Sequence, residues 1–72
     1  MVDYEALRAR LHWYDIRIIQ QLEDDEDSNG EPIERWDCKK DGESVTVEYY
    51  TSDDQVDIYY TCSGSDIYYG NV

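Results

Sequence analysis

The sequence predicts an α+β fold, with one N-terminal helix packed on a three- to four-stranded antiparallel β-meander. In residues 3–22, apolar side chains recur every three or four positions, which is the period of an amphipathic helix. From Pro32 onward, short runs rich in Val, Ile and Tyr alternate with turn signals, which is typical of paired strands. A chain of 72 residues is expected to form a single domain, residues 1–72, with a small core.

Residues 3–22 are predicted to form a helix that buries one apolar stripe, with Asp3 as the candidate N-cap. The stripe consists of Tyr4, Leu7, Leu11, Tyr14, Ile18 and Leu22. The opposite side carries Ala9, Trp13 and Ile16, which a single sheet cannot cover. Trp13 and Ile16 are therefore candidates for self-association, as a homodimer through the helix. The alternative is that Trp13 folds over the helix edge or touches the loop that follows.

Residues 23–31 are predicted to form an acidic loop, since six of these nine residues are acids and Asn29-Gly30 is a turn signal. Such a run is usually a solvated linker, but here it begins where the predicted helix ends, and negative charge is unfavourable there. The backbone of this loop would present the carboxylates at spacings that resemble phosphates. We therefore expect this segment to bind a partner through four acids, namely Asp24, Asp25, Glu26 and Asp27.

Residues 32–70 are predicted to form the sheet, with strands near 33–39, 44–51, 56–62 and 66–69. The expected turns are Asp41-Gly42, Asp53-Asp54 and Ser63-Gly64. They predict a register with the pairs Cys38 with Val45, Trp36 with Val47, Arg35 with Glu48, Tyr49 with Ile58, Ile58 with Tyr69, and Tyr59 with Tyr68.

This register divides the side chains between two faces of the sheet. The predicted core face holds Trp36, Cys38, Val45, Val47, Tyr49, Val56, Ile58, Tyr60, Ile67 and Tyr69. The predicted outer face holds Arg35, Asp37, Thr46, Glu48, Tyr50, Asp57, Tyr59, Thr61, Asp66 and Tyr68. No predicted element covers the outer face. Its six candidate partner-binding residues are therefore three exposed tyrosines and three flanking acids, namely Tyr50, Tyr59, Tyr68, Glu48, Asp57 and Asp66.

The same register predicts two reduced and buried cysteines. Cys38 and Cys62 would flank Val45 from opposite sides, two strand spacings or roughly 10 Å apart. A disulfide needs Cα atoms within about 7 Å of each other. A disulfide between these cysteines is therefore not expected.

The charge of the chain narrows the classes of partner. Eighteen acidic residues against six basic ones give a formal charge of -12, which repels nucleic acid and anionic lipid and favours a basic protein. Sheets with exposed aromatic rings do bind single strands, but they need a positive groove that is not expected here. Protein binding fits better, because tyrosine stacks on arginine while carboxylates accept its hydrogen bonds. The alternative is an ordinary solvated face, on which tyrosine is present only because it favours β-strands.

Catalysis, cofactors and membrane insertion are not predicted. The single histidine, His12, lies on the helix flank with no nucleophile placed to need it, so the protein is not expected to be an enzyme. The Cys, His and acid spacings match no zinc or calcium motif, and no glycine-rich phosphate motif is present. Without an apolar span or a secretory signal, a soluble cytoplasmic protein is expected.

In length, acidity, the acidic run 23–27 and the Tyr/acid sheet face, the chain resembles the small acidic inhibitors carried by phages and mobile elements. Some of these mimic DNA and block CRISPR effectors, restriction enzymes or repair glycosylases. The resemblance spans the chain but includes no specific family motif. It implies a stoichiometric inhibitor, foremost a viral anti-CRISPR protein, that occupies a site meant for DNA or guide RNA. The alternatives are an immunity protein or antitoxin that covers a basic nuclease site, and a halophilic interaction domain.

Overall fold

The computed structural model describes residues 2–72, which form one helix followed by five antiparallel strands. The elements are α1 (Tyr4–Trp13), β1 (Arg17–Glu26), β2 (Pro32–Lys40), β3 (Glu43–Tyr50), β4 (Gln55–Tyr60) and β5 (Asp66–Asn71). Each strand pairs with its sequence neighbours in one sheet of order β1-β2-β3-β4-β5, so β1 and β5 are the edges. The α+β class is confirmed, with one strand more than predicted. Within the described residues, no helix is long and apolar enough to cross a membrane.

The helix ends at Trp13, so the prediction of a helix over 3–22 is wrong beyond this point. Asp15 adopts the left-handed conformation, with φ of +58°. The amide of Asp15 donates to the His12 carbonyl at 3.1 Å, and the amide of Ile16 donates to the Leu11 carbonyl at 2.9 Å. These two bonds form a Schellman motif, in which a left-handed residue stops a helix and the next apolar residue packs back on it.

The chain continues from this stop into the edge strand β1, which corrects two further predictions. The acids at positions 23–26 lie in a strand instead of a loop. The turn itself is short and is organised by Asp27, whose Oδ1 accepts the amides of Asn29 at 2.8 Å and Glu31 at 3.0 Å. Ile18 and Leu22 do not belong to a buried helix stripe, because Ile18 is exposed and Leu22 is half-buried on the outer face.

The core lies between α1 and one face of the sheet. Its buried members are Leu7, Leu11, Ile16, Trp36, Cys38, Val45, Val47, Tyr49, Val56 and Ile58. Ile16 is therefore a core residue that follows α1, and the prediction that it projects from the uncovered side of the helix is wrong. Trp13, by contrast, is 77% exposed, so it neither folds onto the helix edge nor becomes covered by a loop.

The register between β2 and β3 is the predicted one, including the pairs Cys38 with Val45 and Arg35 with Glu48. Between β3 and β4 the register is shifted by two residues, and Tyr49 faces Val56 instead of Ile58. The cause is a connection of four residues, 51–54, where a two-residue turn was predicted. Because side chains alternate with a period of two, this shift leaves every residue on its predicted face.

An irregularity in the β4–β5 ladder changes the predicted faces of β5. It lies between Ile58 and Tyr59, so that Ile58 faces Tyr68 and Asp57 faces Tyr69. Tyr68 therefore lies on the helix side of the sheet, and Tyr69 lies on the outer face with 59% of its surface exposed. The predicted positions of these two tyrosines are wrong, since a one-residue bulge exchanges the faces of a strand.

Both cysteines are free, as predicted. Cys38 is buried in the core, and burial followed by the charge of Asp37 raises the pKa of its thiol to about 11. The prediction that Cys62 is buried is wrong. β4 ends at Tyr60, which leaves Cys62 in the exposed turn that follows.

Candidate partner-binding surface

The outer face is the side of the sheet that α1 does not cover, and its side chains lie in three rows across the strands. The middle row consists of Leu22, Arg35, Glu48, Asp57 and Tyr69. One flanking row consists of Gln20, Asp37, Thr46, Tyr59 and Asp66. The other consists of Asp25, Ile33, Tyr50, Gln55 and Asn71. Neighbours in a row lie close enough for their side chains to contact one another.

The outer face has an apolar floor that the sequence analysis did not predict. Ile33 is only 6% exposed, although it belongs to the outer face and not to the core cluster. It faces Tyr50 across the β2–β3 ladder. Tyr50 and Tyr59 are half-buried, which corrects the prediction that they are exposed. No other element of residues 2–72 lies over this face. Ile33, Tyr50 and Tyr59 are therefore shielded from solvent by neighbouring side chains in the rows.

Three carboxyl groups meet near the centre of this face. The Glu48 Oε2 accepts a hydrogen bond of 3.0 Å from Arg35 Nε, an ion pair that is partly shielded from solvent. Asp57 lies opposite Glu48 on the next strand and has no such cation. Burial, the hydrogen bond with Asp66 and the charges of Asp66 and Glu48 raise the pKa of Asp57 to about 6.

Asp57 and Asp66 can hydrogen-bond to each other only while one of them carries a proton, since two ionised carboxylates have no donor. With both ionised, the buried Asp57 Oδ1 has no partner within residues 2–72. Near neutral pH, the pair is therefore a site of unsatisfied negative charge that a donor from outside can relieve.

The tyrosines beside this group are held as neutral phenols. Burial, then the charge of Glu48, raises the pKa of Tyr59 and also that of Tyr50. Arg35 and Thr46 act in the opposite direction on Tyr59, because they hydrogen-bond to it. A neutral ring of this kind offers an apolar face to an arginine and a hydroxyl to a polar partner.

Beside the outer face, the second part of the candidate surface is the acidic edge. We define it as Glu23, Asp24, Asp25 and Glu26 of β1, all of which are exposed. It adjoins the outer face where Asp25 pairs with Ile33. The β1–β2 turn extends it with Asp27 and Glu31.

The acids of the acidic edge are not neutralised by the protein itself. Residues 2–72 contain two ion pairs, Arg35 with Glu48 and Lys40 with Asp41, and neither includes a residue of the acidic edge. Of the cations in this ladder, Arg17 and Lys39 pair with each other at its opposite end, and Arg35 between them is bound to Glu48. The β1–β2 ladder is therefore electrically polarised along its strands.

Negative charge at this edge of the sheet also affects α1, on the helix side. Tyr4 donates its hydroxyl proton to both carboxylate oxygens of Glu34, at 2.6 and 2.8 Å. That hydrogen bond and burial raise the pKa of Tyr4, and the charges of Glu34 and Asp24 raise it further. Asp24 is thus close enough to α1 to extend the acidic surface around the edge of the sheet.

The spacing of the acidic edge resembles that of a nucleic-acid strand. A β-strand rises about 3.3 Å per residue, and each strand of B-DNA carries one phosphate per about 3.4 Å of helix axis. Four consecutive acids in β1 therefore have a similar linear charge density, although an irregularity between Leu22 and Asp25 interrupts the regular ladder.

The remaining concave features of the described residues are shallow grooves that are open to solvent. His12 borders an open groove with Arg8 and Arg17. Within residues 2–72, no group of three or more His, Cys, Asp or Glu side chains is placed to hold a metal ion. A wider cleft beside the β2–β3 and β4–β5 turns includes Tyr60 and Cys62.

Five of the predicted partner-binding residues share the outer face, namely Glu48, Tyr50, Asp57, Tyr59 and Asp66. Tyr68 does not, and Tyr69 takes its place. Asp24, Asp25 and Glu26 lie in the acidic edge, while Asp27 organises the adjoining turn. No protein-family model, curated protein or solved structure matches this chain. The function is therefore argued from these surfaces.

Proposed function

We propose that this protein is a stoichiometric inhibitor that mimics nucleic acid and occupies the basic nucleic-acid-binding site of a target protein. One observation carries the proposal, namely the exposed and unneutralised run of Glu23, Asp24, Asp25 and Glu26 along an edge strand. Such a strand gives a target a linear density of negative charge similar to that of one DNA strand along the helix axis.

The charge of the whole molecule supports the same role. A formal charge of -12 on 72 residues creates a field that attracts a basic surface over a distance and speeds association. It also opposes direct binding to nucleic acid and to anionic membranes. The proposed partner is thus a basic nucleic-acid-binding protein, and neither nucleic acid nor lipid is expected to bind.

The outer face would supply specificity beside the acidic edge. Tyr69 is exposed on the outer face. Asp57 lies in the same row as Tyr69, and Asp66 lies in the neighbouring row. An arginine of the target can stack on such a ring and donate to a carboxylate at the same time. The unsatisfied charge of Asp57 and Asp66 would also be relieved by this donor.

The resemblance in size and charge to phage-type inhibitors makes a CRISPR effector the first target to test, as for an anti-CRISPR protein. A nuclease or a repair enzyme presents the same kind of basic site. The class of the target follows from the charge argument, whereas the choice of CRISPR effector follows from the resemblance alone.

The proposal is tested by capture with a charge-matched control. The acidic edge is neutralised by E23Q, D24N, D25N and E26Q, and the control neutralises four exposed acids elsewhere, by E5Q, D15N, D41N and E43Q. Both variants have the same net charge. Tagged proteins are incubated with a lysate that contains CRISPR effectors and nucleases, and bound proteins are eluted in salt steps or with DNA.

We expect the unmodified protein and the control to retain a nucleic-acid-binding protein that salt releases and DNA displaces. The acidic-edge variant should retain little of it. Equal capture by the two variants would show that net charge alone binds the target. Capture of no such protein by any of the three would overturn the proposal.

A further inference from the structure

The centre of the outer face contains one cation and three carboxyl groups. Arg35 is committed to Glu48, because its Nε donates to Glu48 Oε2 at 3.0 Å. Asp57 lies opposite Glu48 on β4, and its Oδ1 is buried without a hydrogen-bond partner within residues 2–72. Asp66 of β5 interacts with Asp57 from the other side. The centre of this face therefore holds more negative charge than its own cation neutralises.

The surroundings of Asp57 supply no further positive charge. The ionisable groups in the rows around it come from β2, β3, β4 and β5, namely Arg35, Glu48, Tyr50, Tyr59, Asp66 and Tyr69. The three tyrosines are phenols and bring no cation. The core residues of α1 pack on the opposite face of the sheet, so the helix brings none to Asp57 either.

A proton takes the place of the missing cation. Two ionised carboxylates have no donor, so Asp57 and Asp66 hydrogen-bond to each other only when one of them is protonated. Burial, followed by the hydrogen bond with Asp66 and the charges of Asp66 and Glu48, raises the pKa of Asp57 to about 6. Below that pH the pair holds one proton, and above it the pair carries two negative charges. A proton and an external cation thus compete for the same two carboxyl groups.

We propose that the proton shared by Asp57 and Asp66 regulates binding at the outer face, so that the target is held near neutral pH and released in mildly acidic solution. This inference rests on the proposed function, since the competing cation is an arginine of the basic target. When the guanidinium reaches the pair, the proton passes to solvent and the N–H groups of the arginine replace it as donors.

Affinity should fall as the solution becomes acidic. A bound cation favours the ionised form of Asp57, and so lowers its pKa below the value of about 6 in the free chain. Below this value binding must expel a proton, whereas well above it no proton has to leave. The dissociation constant should thus be about tenfold higher at pH 5 than at pH 7, since about one proton is released for each cation bound at the lower pH.

The test measures the dissociation constant of the captured target at pH 5 and at pH 7 by isothermal titration calorimetry. Asp57→Asn should bind more weakly at pH 7 and abolish the tenfold ratio, because an amide does not titrate. Comparison with this variant also cancels the titration of the target itself. Glu5→Gln removes the same charge from the exposed helix surface and should keep the ratio. His12→Gln should keep it too, and is included because histidine as a residue type titrates in this range.

A hexa-arginine peptide tests the same exchange without the target. Carbon-13 chemical shifts of the side-chain carboxyl groups should show Asp57 titrating with a midpoint at about pH 6 in the free chain. Saturating peptide should move that midpoint to lower pH. Asp66→Asn should also lower it in the free chain, because a neighbouring negative charge is removed.

The outcomes separate this inference from the proposed function. A captured target that DNA displaces, but whose pH 5 to pH 7 ratio is the same for Asp57→Asn and the unmodified chain, would overturn the inference and leave the proposed function standing. So would a midpoint for Asp57 that the bound peptide does not move. If no target is captured, the proposed function fails, and the peptide titration still decides whether the pair exchanges its proton for a cation.

Discussion

Glu48 and Asp57 lie directly opposite each other on β3 and β4, with both carboxyl groups on the outer face of the sheet. Glu48 is bound by Arg35 at 3.0 Å, whereas Asp57 interacts with the carboxyl group of Asp66 and has no bound cation within residues 2–72. Like charges in opposite positions of a ladder destabilise a sheet. This arrangement therefore costs stability in the free protein, and a basic partner that binds this face would remove that cost.

The pH dependence of stability should report on Asp57. Its pKa is raised from 3.8 to about 6 in the folded chain, so between these values the folded protein holds a proton that the unfolded chain has lost. The free energy of unfolding should therefore fall as pH rises through this interval. Asp57→Asn should reduce that slope, as measured by urea denaturation at a series of pH values. Glu5→Gln, which removes the same charge from the helix surface, is the control, and an unchanged slope in Asp57→Asn would contradict the assignment.

The Tyr49 hydroxyl should contribute measurably to stability. Tyr49 is fully buried, accepts a hydrogen bond from the Asp3 amide at 3.0 Å and donates one to Asp54 Oδ1 at 2.7 Å. Tyr49→Phe should lower the free energy of unfolding by about 1–2 kcal/mol, because both bonds are lost. Tyr50→Phe is the neighbouring control, since that hydroxyl makes no hydrogen bond within residues 2–72. Equal midpoints in urea for the two variants would argue against this network.

The end of the helix should depend on the left-handed conformation of Asp15. Asp15→Ala should cost about 1 kcal/mol, because a Cβ without a local hydrogen-bonding group disfavours φ of +58°. Asp15→Gly should be neutral or stabilising at the same position. Thermal unfolding followed by circular dichroism distinguishes the two variants. A more stable Asp15→Ala would instead favour a helix that continues through β1.

The acidic edge should control the rate of association with the target. Reversal of two of its charges, by D24K and E26K, should slow association most strongly at low salt, since steering by charge is screened as salt rises. The control reverses Glu5 and Glu43, two exposed acids outside the acidic edge. Stopped-flow traces at several salt concentrations provide the rates. Rates that do not depend on salt would remove the electrostatic part of the proposal.

The parts of the fold that could be predicted are those with strong local signals. Asp41-Gly42 is a two-residue turn with positive φ at both positions, and the register on either side of it is as expected. This turn alone predicts Arg35 opposite Glu48, as the structure has it. The alternation of side chains along each strand also predicts Tyr50 and Tyr59 on the outer face, although the β3–β4 connection is two residues longer than expected.

The parts that could not be predicted depend on single residues that override a pattern. Ile18 and Leu22 continue the helical period of α1 by coincidence, while Asp15 ends the helix before they are reached. The exchange of Tyr68 and Tyr69 follows from the irregular ladder after the turn, where the Tyr60 amide bonds to the Ser65 carbonyl. An Asp in the left-handed region and a bulge of one residue have only weak sequence signals.

The central claim is that the acidic edge replaces nucleic acid in a basic site, and displacement tests it most directly. A captured target is loaded with labelled DNA or guide RNA, and fluorescence anisotropy follows its release as this protein is added. The account predicts release that is complete near one copy per site, that the charge-matched control reproduces and that the acidic-edge variant does not. Nucleic acid that stays bound at an excess of the protein, or equal release by both variants, would contradict it.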